Sequence, residues 1–202
     1  MIAIVDYDIG NIAAVANMLR RLNQPCVITD QAAEVARADR IILPGNGAFD
    51  ACMRNLRSSG LIPVLERKVL GEGAPLLGIC VGAQMLGKGS EEGVEPGLGW
   101  IDMQVRRFPS LPELRVPHMG WNEVHPASGH FLARDLEPDS RFYFVHSYYM
   151  APADPNDVLL RAEYGVGFAA GVARGNIAGV QFHPEKSHRF GKRLLASFAK
   201  GE

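Results

Sequence analysis

The stretch Pro75-Leu-Leu-Gly-Ile-Cys80-Val-Gly-Ala-Gln84 constrains the fold more than any other part of the 202-residue chain. Leu76, Leu77 and Ile79 form an apolar run of the length a buried central strand needs. Ala83, Gln84, Met85 and Leu86 then favour helix. Gly78 and Gly82 lie two residues either side of Cys80, where missing side chains let the backbone reverse from strand to helix. Such an elbow holds a thiol clear of the sheet and at a helix N-terminus, where the dipole favours thiolate. It also aims the Val81 N–H at the place where an oxyanion would develop. A free cysteine is otherwise a small buried hydrophobe, so the rest of the chain has to separate the two readings.

The segment contains a decoy. Gly82-Ala-Gln-Met-Leu-Gly87-Lys88-Gly89 nearly spells a phosphate-binding loop. Gly89, however, stands where a Ser or Thr hydroxyl would hold magnesium, and helix formers fill the space between the glycines. The nucleotide reading is rejected.

A chain of 202 residues can build one substantial core, and a single domain over 1–202 is expected. The 47% hydrophobic and 21% charged fractions are those of an ordinary soluble globule. A net charge of −1 leaves no electrostatic footprint for nucleic acid, and no basic cluster points to a membrane surface. Met1-Ile-Ala-Ile-Val lacks the features of a signal peptide, no run is long enough to span a bilayer, and a cytoplasmic location is expected. Cys26, Cys52 and Cys80 are too dispersed for a disulfide framework, and the first two have no partner residues nearby.

Ile2–Val5 reads as a strand, and Asn11 is placed to cap a helix running to Leu22. Cys26–Thr29 and Ile41–Leu43 are further strands, with helices between them and a helical segment at Leu61–Leu70. This alternation implies a parallel sheet with helices on both faces. Pro44-Gly-Asn-Gly47 leaves the third strand at the sheet edge where ligands bind, and can present backbone N–H groups outward. After Gly87 the pattern becomes short strands: Trp100–Arg107, Arg141–Met150, Leu159–Glu163, Phe168–Arg174 and Ile177–His183. They suit an antiparallel extension of the sheet. Ser187 is placed to cap a last helix.

In Gln181-Phe-His183-Pro-Glu185-Lys186, two residues on one face of an extended chain bring a carboxylate beside an imidazole. Pro184 stiffens the pair. Glu185 can then select the His183 tautomer and leave the other ring nitrogen to take a thiol proton. A zinc site of Cys80, His183 and Glu185 lacks a close-spaced ligand pair, so neither metal nor cofactor is expected. A thiol on an elbow with an oriented imidazole points to acyl transfer through a thioester.

Gly78-Ile-Cys-Val-Gly-Ala-Gln84 with His183-Pro-Glu185 resembles the class I (triad) glutamine amidotransferases, and over nearly the whole chain the likeness sharpens. Pro117-His-Met-Gly-Trp-Asn122, Phe142-Tyr-Phe-Val-His-Ser-Tyr-Tyr149 and Ser90-Glu-Glu-Gly93 resemble the glutaminase subunits of imidazole glycerol phosphate synthase. The resemblance implies a flavodoxin-like α/β fold and hydrolysis of L-glutamine by Cys80, His183 and Glu185. The oxyanion would be held by Val81 with Asn46 or Gly47. Glu92 would anchor the glutamine α-ammonium group, with Gln84 and the backbone around His146 and Ser147 completing the pocket. Ammonia would pass to a (β/α)₈-barrel cyclase subunit that makes imidazole glycerol phosphate and a purine precursor, with Asn11, Trp121 and Lys186 near the exit. Asp8, Ala13-Ala14, Gly87-Lys-Gly89 and His188 depart from the usual pattern, and Asp8 and Ala13-Ala14 bear on the partner-facing surface. The rival readings are a glutaminase of another pathway, such as pyridoxal phosphate synthesis, and a catalytically silent subunit.

Overall fold

The computed structural model describes residues 1–9 and 12–201, so Asn11 lies outside the described residues. The first half alternates strand and helix: β1 (Ile2–Val5), α1 (Ile12–Arg21), β2 (Cys26–Thr29), α2 (Ala32–Arg37), β3 (Arg40–Gly45), α3 (Phe49–Ser58), α4 (Ile62–Glu66), β4 (Leu76–Cys80) and α5 (Val81–Gln84). The second half is mostly strand: β5 (Met103–Arg107), β6 (His118–Glu123), β7 (His125–Pro126), α6 (Phe131–Arg134), β8 (Arg141–His146), β9 (Tyr148–Pro152), β10 (Val158–Tyr164), β11 (Val166–Arg174), β12 (Ile177–Val180) and α7 (His188–Lys200).

One sheet runs β2-β1-β3-β4-β12-β11-β10-β7, with β9 beside β11 and β5 beside β9. Pairing is parallel from β2 to β12 and antiparallel beyond it. The chain leaves β1 for β2 and then crosses to β3 on the other side of β1. Right-handed crossovers therefore place α1 on one face and α2, α3 and α4 on the other. α7 packs on α1 and α5 on α3, so both faces are covered. Strands buried on two sides must be apolar throughout, and every residue of β1, β4 and β12 is buried. On α1 the buried stripe is Val15, Ala16 and Leu19, while Arg20 and Arg21 occupy the last turn, where positive charge suits the dipole.

The expected mixed sheet is present, with corrections in detail. The strand expected at Ile177–His183 ends at Val180 and is not part of a purely antiparallel extension; it enters the middle of the sheet parallel to β4. The segment expected over Arg141–Met150 is two strands parted at Ser147. β6, unassigned from sequence, pairs with β8 as a separate two-stranded ladder. The helix expected over Leu61–Leu70 is α4 followed by a π-turn at Arg67–Gly71. Ser187 stands at the N-cap of α7 without capping it; its hydroxyl donates to the His183 carbonyl (2.6 Å) and accepts from the Tyr143 N–H (3.0 Å). Among the described residues no helix is long and apolar enough to cross a membrane.

Candidate active site

β4 ends in the expected elbow. Cys80 has φ 55° and ψ −115°, a conformation that strains any residue with a side chain and persists only where the surroundings impose it. The parallel register sets Gly45 of β3 opposite Cys80. A Cβ on Gly82 would lie 2.0 Å from the Leu43 carbonyl oxygen, and one on Gly45 would lie 2.1 Å from the Gly82 nitrogen. Gly82 thus does more than permit the turn. It lets the start of α5 close onto the end of β3, which brings the Pro44–Gly47 loop to the thiol.

His183 arrives from β12 through Gln181 and Phe182. The Phe182 ring stacks on Phe142 with centroids 3.9 Å apart, and the His183 N–H donates to the Tyr143 carbonyl (2.9 Å). With Ser187 on its carbonyl as well, the backbone of His183 is held on both sides. His183 Nδ1–H donates to Glu185 Oε1 at 2.7 Å, both side chains being nearly inaccessible. Glu185 lies in a 3₁₀ turn, Pro184–Lys186, so the pair meets through that turn and not by the alternation of a strand. Burial by itself would lower the His183 pKa. Hydrogen bonding and charge from Cys80 and Glu185 outweigh it and raise the value to about 9. With Nδ1 committed to Glu185, the Nε2 atom is the one left for Cys80.

A cavity of about 270 Å³ opens over the thiol, lined by Asn46, Gly47, Cys80, Val81, Gln84, Glu92, His146, Ser147 and Tyr148 among others. Every oxyanion and substrate residue expected from sequence lines it. Gly47 has φ +96°, so the left-handed conformation falls on Gly47 and not on Asn46. Two buried side chains beneath the loop hold it: the Cys52 thiol donates to the Asn46 carbonyl (3.3 Å), and the Tyr7 hydroxyl to that of Pro44. Burial raises the Cys52 and Tyr7 pKa values, keeping both groups neutral as donors. Glu92 Oε2 accepts from the Phe49 N–H at the start of α3 (2.9 Å). Its loop is gripped by Asp50, whose carboxylate accepts from the N–H groups of Val94 and Glu95. Those bonds hold the Asp50 carboxyl below its usual range.

Of the expected exit residues, Trp121 and Lys186 meet over Tyr143. The indole lies edge-on to the Tyr143 ring at 6.2 Å, and Lys186 Nζ is 5.8 Å from that ring's centroid. Both are exposed. His188 also stacks on Trp121, with ring centroids 5.5 Å apart and a 6° angle between planes. Sequence reasoning missed Tyr7, Cys52, Gln181 and Tyr148 as parts of the site. No cluster of three potential metal ligands occurs among the described residues.

The chain belongs to the class-I glutamine amidotransferases, whose family profile matches residues 3–200. A crystal structure of a glutamine amidotransferase superposes with a TM-score of 0.70 at 22% identity, covering 98% of this chain and 97% of that one. Closer relatives are imidazole glycerol phosphate synthase subunit HisH 2 of Pseudomonas aeruginosa, 52% identical over 99% of both chains, and subunit HisH of Bdellovibrio bacteriovorus, 50% identical over 99% of this chain and 100% of that one. Identity at this level over the full length places the chain among the HisH subunits, the glutaminase subunits of that synthase in histidine biosynthesis.

Proposed function

We propose that residues 1–202 form one glutamine amidotransferase domain in which Cys80 is the nucleophile. The Cys80 thiol gives its proton to His183 Nε2, and the sulfur attacks the carboxamide carbon of L-glutamine. Glu185 holds the ring in the tautomer that can accept, and stabilises the imidazolium. Negative charge on the carbonyl oxygen is met by the Val81 N–H and by an N–H of Asn46 or Gly47. His183 returns the proton to the leaving nitrogen, so ammonia departs and a glutamyl thioester remains. Water, deprotonated by the same imidazole, cleaves it to glutamate and frees the thiol. Glu92 takes the substrate α-ammonium on the carboxylate oxygen that does not bond Phe49, with Gln84 and the backbone at His146 and Ser147 around the rest.

A glutaminase subunit has no use for the ammonia it makes. We infer that it passes to a (β/α)₈-barrel cyclase subunit in a cytoplasmic heterodimer, near Trp121 and Lys186. The observation that carries the reading is the buried His183–Glu185 pair (2.7 Å), together with a thiol held at φ 55° whose sulfur favours the imidazolium. Glutamate release tests it. The wild-type chain with cyclase subunit and nucleotide ligand should be active, whereas Cys80→Ala should lose on the order of 10⁵-fold yet still support cyclase activity from added ammonia. Near-normal glutamine hydrolysis by Cys80→Ala would overturn the mechanism.

A further inference from the structure

The mechanism above leaves unused one polar side chain that touches the nucleophile. Gln181 is wholly buried, and its Nε2 lies 3.9 Å from Cys80 Sγ. We propose that Gln181 is a further catalytic residue, which donates an N–H to the Cys80 thiolate and is held in that orientation by a buried chain of hydrogen bonds. The proposal rests on Cys80 being the nucleophile.

An amide can be placed two ways round, and here the neighbours allow only one. The Tyr148 carbonyl can only accept. Gln84 approaches it at 3.1 Å and must therefore present its NH₂. The same NH₂ lies 3.0 Å from Gln181, so Gln181 answers with Oε1. Its own NH₂ is left facing the sulfur. The Tyr148 carbonyl takes a second bond from His146 Nδ1–H at 2.8 Å, which fixes that tautomer. His146 Nε2 must then accept, and it does so from His118 Nδ1–H at 2.9 Å. From His118 to Gln181 each group donates or accepts in the only sense its neighbour permits, and the chain ends at Cys80.

A carboxamide with no exposure is costly unless its atoms are bonded, and an apolar side chain would fill the space without that cost. What the amide adds is a donor to the charged form of the sulfur. Such a bond favours the thiolate–imidazolium pair over the neutral thiol and imidazole. It also fixes the direction of Sγ beneath the cavity. Gln84 joins this chain to the substrate, because its Oε1 is buried in a side chain that lines the cavity and has no partner among the described residues.

The test uses two substitutions. Gln181→Met keeps length and volume and removes the donor. Gln181→Glu keeps an acceptor for Gln84 and turns a carboxylate oxygen toward the sulfur. Iodoacetamide labelling across pH, followed by peptide mass spectrometry, reports Cys80 separately from Cys26 and Cys52. The titratable groups coupled to Cys80, namely Tyr7, Cys52 and His183, are the same in all three proteins. The pH midpoint of Cys80 labelling should rise by about one unit in Gln181→Met and by more in Gln181→Glu. With the cyclase subunit and its nucleotide ligand present, kcat for glutamate release should fall about tenfold or more in Gln181→Met while KM stays within about threefold. Circular dichroism and thermal unfolding show whether each variant is folded, and a folded Gln181→Glu carries the same readouts if Gln181→Met is not. An unshifted labelling midpoint with unchanged kcat in a folded variant overturns the donor alone. A Cys80→Ala protein that still hydrolyses glutamine overturns the nucleophile, so the two failures are distinct.

Discussion

Glu185 is worth most to this site through what it does to one proton. Desolvation penalises a charged imidazole, yet His183 holds its proton up to about pH 9 because the sulfur and Glu185 both favour the cation. In Glu185→Gln the amide can still bond Nδ1 but supplies no charge, and it can equally donate and so stabilise the wrong tautomer. Activity should therefore fall by roughly 10²–10⁴-fold, less than for Cys80→Ala. The pH dependence carries a sign. The imidazolium is the form present below about pH 9, so the alkaline limb of kcat/KM should lie near that value in the wild type and move to lower pH in Glu185→Gln. Superimposable profiles with unchanged rates would reduce His183-Pro-Glu185 to a structural turn. Position-specific chemistry of this kind is legible in a sequence, because Gly78, Cys80 and Gly82 are local to one another, as are His183 and Glu185.

At the scale of elements, two glycines near the thiol fail in different ways when changed. Gly82→Ala sets a Cβ 2.0 Å from a backbone oxygen of β3 and 2.8 Å from a backbone carbon there, and neither can swing aside as a side chain would. The joint between β3 and α5 must open, at a cost of about 2–4 kcal/mol. That corresponds to a fall in Tm of roughly 5–15 °C for a chain of this size. Gly47→Ala meets no atom within 4 Å, but its φ of +96° is unfavourable for an L side chain. Its cost should fall on the loop, lowering kcat by about tenfold or more while Tm moves by only a few degrees. Equal losses of Tm in the two variants would contradict this division. The same contrast explains what sequence could not show. The N-terminal alternation of strands and helices follows a local period and reads directly. The entry of β12 between β4 and β11 depends on pairing across about a hundred residues, which no local pattern encodes. Gln181, Tyr148 and Cys52 join the site only through that pairing and through the packing of α3, so their roles came to light in the fold.

For the whole molecule, acid should act first through the buried histidines of the β6–β8 ladder. His118 and His146 face each other across that ladder, hydrogen-bonded at 2.9 Å and both neutral. Burial lowers their pKa values to about 4 and about 3. In the unfolded chain each would take a proton near pH 6.5. The unfolded state therefore binds more protons from about pH 6.5 down to those lower values, and stability present above pH 6.5 is lost as pH falls through that window. Each such group steepens the loss by up to about 1.4 kcal/mol per pH unit. His130, also lowered by burial, adds in the same sense. His183 does not add to this loss: its folded pKa is raised to about 9, so the stability it contributes is fully present below about pH 6.5 and is lost only as pH rises toward 9. Asp50 and Glu72 are held low by hydrogen bonds from Glu95 and Val94 and from Lys68, and so titrate below the window. Urea unfolding should accordingly show a loss of about 2–4 kcal/mol between pH 6.5 and 4.5. His118→Gln, less stable at neutral pH for want of a fitted ring, should lose about 1–2 kcal/mol less over the same interval, since one titrating group is gone. An identical pH dependence in the two proteins would mean that acid attacks elsewhere. Because the His118–His146 pair also supports the Tyr148 carbonyl on which Gln84 rests, glutamine binding by the folded wild type should hold through that window and weaken only as pH approaches about 4, where His118 itself begins to take a proton.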